Sequence, residues 1–186
     1  MTGKLFIISA PSGTGKGVVI KKVLELRPEI AYSVSATTRA PREGEIDGSS
    51  YYFVSREDFS KMIEADRLLE YAEYVGEFYG TPRAPIDKLL ADGKCVILEI
   101  EVQGAKQIMA LKPDAVSIFL VPPSEQELER RLRGRGTDTE SKLVSRLQTA
   151  KRELLNKELY KYIVVNDKIE RAAMEIVEII KREELT

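Results

Sequence analysis

The segment Ala10-Pro11-Ser12-Gly13-Thr14-Gly15-Lys16-Gly17 places glycines, a hydroxyl and one lysine in the order that cradles a phosphate chain. An apolar run precedes it and a segment of helical period follows, so the glycines fall between a strand and a helix N-terminus. Glycine lets successive backbone N–H groups approach phosphate oxygens with no side chain in the way. The helix end adds partial positive charge, and Lys16 is placed to bridge the terminal phosphates. The strict pattern has glycine at the position of Ala10 and Ser or Thr at that of Gly17. The second departure removes the hydroxyl that binds Mg²⁺, and Val18 does not replace it. Residues 10–17 and Lys16 are therefore candidates for ATP binding, with the metal held from elsewhere.

A second chemical signal lies in Cys95-Val96-Ile97-Leu98-Glu99-Ile100-Glu101, an apolar run ending in two acids spaced by two. Strand geometry turns both carboxylates to one side. The carboxyl end of a parallel strand is where ligands bind in open α/β sheets. Glu99 is thus placed to hold Mg²⁺, directly or through water. Glu101 is a candidate for the acceptor side.

The elements that must position these groups alternate strand and helix. Residues 4–9, 94–101, 115–121 and 162–165 read as strands, the third stopped by Pro122-Pro123. Residues 15–26, a stretch through about 111, and 168–182 read as helices. This pattern predicts an α/β fold with a parallel sheet flanked by helices. Two stretches interrupt it. Residues 31–81 contain short aromatic and hydroxyl-rich strands around a helix near 56–65, and residues 124–153 are highly charged and mostly helical. Both read as insertions into one compact core of ordinary domain size, given 186 residues in all.

Composition limits the chemistry. Lys plus Arg number 29 against 30 Asp plus Glu, a net charge of -1, which disfavours a binder of polymeric nucleic acid. The absence of histidine excludes imidazole acid–base catalysis. The single cysteine excludes an internal disulfide. No apolar run approaches the roughly 20 residues of a membrane helix. The N-terminus enters an apolar strand with no leader pattern, so a cytoplasmic protein is expected.

The run Ser33-Val34-Ser35-Ala36-Thr37-Thr38-Arg39-Ala40-Pro41-Arg42-Glu43-Gly44-Glu45 resembles the guanylate kinase signature. Asp47-Gly48, Tyr51-Tyr52-Phe53, Glu70-Tyr71-Ala72, Tyr79-Gly80-Thr81-Pro82, Gly134-Arg135-Gly136-Thr137 and Val164-Val165-Asn166-Asp167 follow in the family's order. The resemblance spans nearly the whole chain. It implies a P-loop NTPase-type core (1–33, 82–123 and 154–186) with inserted GMP-binding (34–81) and lid (124–153) subdomains. It also implies transfer of the γ-phosphoryl group of ATP to GMP, and to dGMP, within purine metabolism, with Mg²⁺ as cofactor.

Roles follow from the resemblance and suit the chemistry. Arg39 and Arg42, three apart, form a fork for the GMP phosphate, which planar guanidinium donors match. Tyr51 and Tyr79 add hydroxyl donors. Glu70 accepts from guanine N1–H and N2–H, while Ser35 and Thr81 reach O6. Adenine presents the opposite pattern there and leaves buried groups unpaired. Arg131, Arg135 and Arg146 approach the phosphates, whereas Arg130 and Arg133 face solvent. Asn166 resembles the adenine-side loop. Two rivals share part of the pattern: a non-catalytic module that binds protein partners, and a kinase for another nucleotide or a sugar phosphate. The retained Gly13, Gly15 and Lys16 disfavour the first; Glu70, Ser35 and Thr81 disfavour the second. The sequence leaves the oligomeric state open.

Overall fold

The computed structural model describes residues 3–134 and 140–185. Its centre is a five-stranded sheet of β1 (Leu5–Ser9), β2 (Ala31–Tyr32), β7 (Val96–Glu99), β8 (Val116–Val121) and β9 (Tyr162–Val165). The spatial order is β2-β7-β1-β8-β9, and every pairing is parallel. Alternate residues of each strand feed opposite cores, as a sheet covered on both faces requires. Phe6, Ile8, Ile97, Ile118 and Leu120 meet α1 (Lys16–Leu26) and α7 (Ile169–Glu184) on one face. Leu5, Ile7, Val96, Leu98 and Phe119 meet α3 (Arg83–Ala91) and α4 (Val102–Leu111) on the other. The packing of α7 follows from Ala172, Ala173, Ile176, Val177 and Ile180, which recur at helical spacing along its buried stripe.

A second sheet, ordered β4-β3-β6-β5, is built from β3 (Ala36–Thr37), β4 (Tyr52–Phe53), β5 (Leu68–Tyr74) and β6 (Glu77–Pro82). Helix α2 (Arg56–Glu64) packs Phe59 against Ala36 and Leu68. Its start is set by Ser55, whose Oγ accepts from the Asp58 N–H. Helices α5 (Glu125–Arg133) and α6 (Glu140–Leu154) share a small core of Leu128, Leu132, Leu143 and Ala150.

The α/β class and the parallel sheet are as the alternation predicts. Three local features differ. The strand expected over 94–101 ends at Glu99. Residues 31–32, which the pattern alone groups with the stretch 31–81, form the edge strand of the central sheet. Helix α3 lies where the sequence pattern assigned no element. Pro82 is its N-cap and Pro85 lies in the first turn, where the missing N–H has no intrahelical acceptor to lose.

The β5–β6 hairpin turns on Val75-Gly76, both at positive φ (52° and 78°). A turn of this kind suits Asn-Gly, whereas a β-branched residue is strained there. Val75 is 84% exposed, so little packing offsets the strain. Val75→Asn is expected to stabilise the chain by about 1 kcal/mol, read as a higher urea midpoint at unchanged slope.

Candidate functional site

The phosphate loop leaves β1 at Ser9 and enters α1 at Lys16, as its sequence predicts. Its glycines serve a purpose beyond approach to an anion. Gly13 and Gly15 have φ of 89° and 90°. A Cβ on Gly13 would stand 2.7 Å from Leu132 of α5, and one on Gly15 2.9 Å from Asn166 Nδ2. Helix α5 and Asn166 thus pack directly onto the loop backbone. Asn166 is 2% exposed and donates from Nδ2 to the Thr14 carbonyl at 2.7 Å. The structure makes it a buried support of the loop. Arg131 likewise donates to the Thr14 and Asn166 carbonyls at 3.1 and 2.9 Å, with Glu127 accepting from its Nε.

Lys16 folds back across the end of the sheet. Its Nζ donates to the Ile100 carbonyl at 3.0 Å and pairs with Glu101 at 3.3 Å. Burial opposes its charge, but the carboxylates of Glu101 and Glu99 outweigh this and hold the ammonium above its ordinary pKa. Glu101 lies past β7 as the N-cap of α4, yet it still faces the same cavity as Glu99. Glu99 accepts from the Tyr32 hydroxyl at 3.0 Å. Gly17 opens toward that carboxylate: a Cβ on it would stand 3.4 Å from Glu99 Oε1.

Across the cavity, Arg39 forms a two-pronged pair with Glu45 at 2.8 and 2.9 Å. Its guanidinium lies 5.4 Å over the Tyr51 ring. Glu45 also accepts from the Arg42 backbone N–H at 2.7 Å, so one carboxylate ties the Arg39 side chain to the main chain at Arg42. The Tyr51 and Tyr79 rings meet edge to face at 6.1 Å. Glu70 is buried on β5, where Thr81 donates to its Oε1 at 2.6 Å. Thr81 is therefore directed at the carboxylate in this state. Burial pushes the Glu70 pKa up to about 7, opposed by the Thr81 bond and the charge of Lys16.

The α5–α6 pair supplies the remaining wall. Arg146 donates to the Ser12 hydroxyl at 2.9 Å. Glu153 lies 3.4 Å from the Ser12 N–H, and burial raises its pKa to about 7. Arg130 and Arg133 are exposed and paired with Glu127, Glu129 and Glu140, as expected of solvent-facing residues. Arg135 lies outside the described residues.

These groups open onto one cavity of about 970 Å³, near the top of the range for small-molecule sites. Ser12, Lys16, Glu99 and Glu101 line one side; Ser35, Arg39, Arg42, Tyr51, Glu70 and Tyr79 line the other. It sits beyond the carboxyl ends of β1 and β7, where the chain's crossovers from β1 and β7 run in opposite directions. The main-chain phosphate cradle and the guanidinium fork therefore share a single space. Arg131 and Asn166 support the phosphate loop from behind, and Thr81 supports Glu70. Tyr32 and Glu45 were not singled out from sequence. Glu45 sits inside the signature run, where its spacing from Arg42 was the available signal; a tyrosine on a two-residue edge strand gives none.

The family model for guanylate kinase matches residues 2–183. A guanylate kinase from Thermus thermophilus is 51% identical over 183 residues, covering 98% of this chain and 83% of its own. One from Synechocystis is 48% identical over 182 residues, covering 98% of this chain and 95% of its own. The crystal structure of guanylate kinase from Anaplasma phagocytophilum superposes with a TM-score of 0.84 at 36% identity, covering 100% of this chain and 88% of that one.

Burial of Glu70 has a consequence for stability. Because its folded pKa is raised from 4.5 to about 7, the native state holds this proton more tightly than the unfolded state does. Its contribution to stability is therefore greatest below the unfolded value and falls as pH rises through that window. Relative to Glu70→Gln, the unfolding free energy should drop by about 3 kcal/mol between those pH values and stay level above them. Urea unfolding of both proteins across pH measures the difference.

Proposed function

As this chain belongs to the guanylate kinase family and transfers the γ-phosphoryl group of ATP to GMP, we propose that the two sides of its cavity are the donor and acceptor sites of that reaction. The observation that carries the assignment is the convergence of the phosphate loop and the Arg39–Arg42 fork on one space. Residues 10–17 hold the ATP phosphates through backbone N–H groups, and Lys16 exchanges its bond to Glu101 for the β- and γ-oxygens. Arg39, Arg42, Tyr51 and Tyr79 hold the GMP phosphate, which replaces Glu45 as the partner of Arg39. Residues 34–81 form the GMP-binding subdomain, and 124–153 reach over the donor site with Arg146. The chain works in the cytoplasm, where both nucleotides are found. Among the described residues no helix is long and apolar enough to cross a membrane.

The acceptor base is read by hydrogen-bond pattern. Glu70 takes both guanine N–H donors, Ser35 and Thr81 face O6, and Glu101 borders the same pocket. Burial raises the Glu70 pKa to about 7, so near neutral pH part of the population carries a proton there until the base arrives. Two donors then favour the ionised form, so binding releases that proton. Adenine offers no matching donors and leaves the carboxyl unpaired.

In the transfer step an oxygen of the GMP phosphate attacks the γ-phosphorus. The bond from phosphorus to the bridging oxygen of ATP breaks in line, and the electron pair leaves with ADP. The attacking oxygen is already anionic, so no side chain need remove a proton. Catalysis is positioning and electrostatic stabilisation: Lys16 and Arg146 offset charge on the donor, and the arginine fork fixes the acceptor. Mg²⁺ suits the site's hard oxygen donors and supplies further charge compensation to the ATP phosphates when bound. Glu99 faces the space left open by Gly17, and would hold the ion with phosphate and water. Among the described residues no group of three or more acidic or thiol side chains forms a cage, which suits an ion carried largely by the nucleotide.

ADP release should follow GMP, with kcat/KM for AMP, UMP and CMP lower by about 10⁴. Lys16→Ala should lower kcat with GMP by at least about 100-fold; full turnover in that variant would refute the donor assignment. Glu99→Gln should raise the half-saturating Mg²⁺ concentration by about tenfold or more, and an unchanged titration would remove Glu99 from the metal site.

A further inference from the structure

Gly104 lies in the first turns of α4, buried, with φ outside the left-handed region. Nothing in its backbone conformation calls for glycine, and glycine is the least favourable residue after proline inside a helix. The space around it gives the reason. A Cβ on Gly104 would stand 2.0 Å from Glu70 Oε2, 2.7 Å from its Cδ and 3.4 Å from its Cγ. The Glu70 carboxyl group occupies the volume that any other residue would fill.

The seam is fixed one turn further on. Gln107 donates from Nε2 to the Tyr71 carbonyl at 2.7 Å, and its Oε1 accepts from the Tyr71 N–H at 3.3 Å. A side-chain amide thus bonds both backbone groups of the residue next to Glu70. Gly104 and Gln107 share the face of α4 that meets β5. Helix α4 packs on the central sheet and β5 belongs to the acceptor sheet, so this contact joins the two halves of the site. Gln107 holds the backbone of the next residue, so an added methyl group displaces the Glu70 carboxyl group, the far end of a flexible side chain, toward the cavity it lines.

We propose that Gly104 is a specificity-positioning residue: the missing side chain on α4 sets where the Glu70 carboxylate stands, and through it the discrimination of guanine from adenine. The inference rests on the assignment of Glu70 to the guanine edge. Gly104 touches no substrate and acts only through Glu70.

Titration calorimetry on the full chain, with GMP and ATP added separately, tests it. Gly104→Ala should raise the Kd for GMP at least about tenfold, leave that for ATP within about twofold, and narrow the preference for GMP over AMP, without lowering the unfolding temperature. In a Glu70→Asp background the carboxyl carbon withdraws to the position now held by Cγ, so the same alanine substitution should raise the Kd for GMP by less than about threefold. Equal losses in both backgrounds would overturn the proposal, as would parallel loss of ATP binding or an unchanged Kd for GMP. Glu70→Gln separates the two levels. If it weakens GMP binding while Gly104→Ala does not, the positioning role alone fails; if it leaves GMP binding intact, the assignment of Glu70 fails and the positioning role with it.

Discussion

Cations aimed into an empty cavity repel one another and wander unless something holds them, and here the chain's own carboxylates do so. Lys16 is fixed by Glu101 and the Ile100 carbonyl, and Arg39 by both oxygens of Glu45. These pairs are partly buried, so their geometry is better defined than that of a surface ion pair. A phosphate entering either side meets a donor already aimed and exchanges one anion for another. Pre-organisation of this kind lets electrostatic stabilisation act at the reacting group without rearrangement.

The same economy appears in the backbone. Gly13, Gly15, Gly17 and Gly104 each leave a volume that a neighbour uses or faces: Leu132, Asn166, Glu99 and Glu70 respectively. Two of the four also adopt positive φ, so conformation and packing act together in the phosphate loop. At Gly104 conformation plays no part and the close carboxylate is the whole reason, whereas at Gly17 a Cβ would meet Glu99 Oε1 at an ordinary contact distance of 3.4 Å. The site is thus shaped as much by side chains left out as by those present. The charged wall of α5 and α6 leans on this arrangement, since Arg131 docks on carbonyls of the phosphate loop and of Asn166.

Much of this was legible in the chain itself. Alternating apolar runs marked four of the five central strands, because a buried parallel strand carries a continuous apolar signal. The fifth, two residues long, carries too little pattern to see. The phosphate loop was legible because glycine and lysine at fixed spacing have few other uses. Helix α3, to which no element was assigned, opens on prolines that a first turn tolerates. That Asn166 also braces the phosphate loop was not legible, because a buried amide and a loop amide look alike in sequence.

The order of residues determined the fold class, the phosphate cradle, the acidic strand end and the arginine pair, since each depends on spacing within a few residues of chain. Tertiary structure decided which of these groups meet. Tyr32 reaches Glu99 across 67 positions, Gln107 grips Tyr71, and Gly104 makes room for Glu70. Those contacts depend on how β2 pairs with β7 and how α4 meets the second sheet, and on distances of a few ångströms between segments far apart in the chain. Local periodicity carries no information about them; the packing of one layer against another creates it.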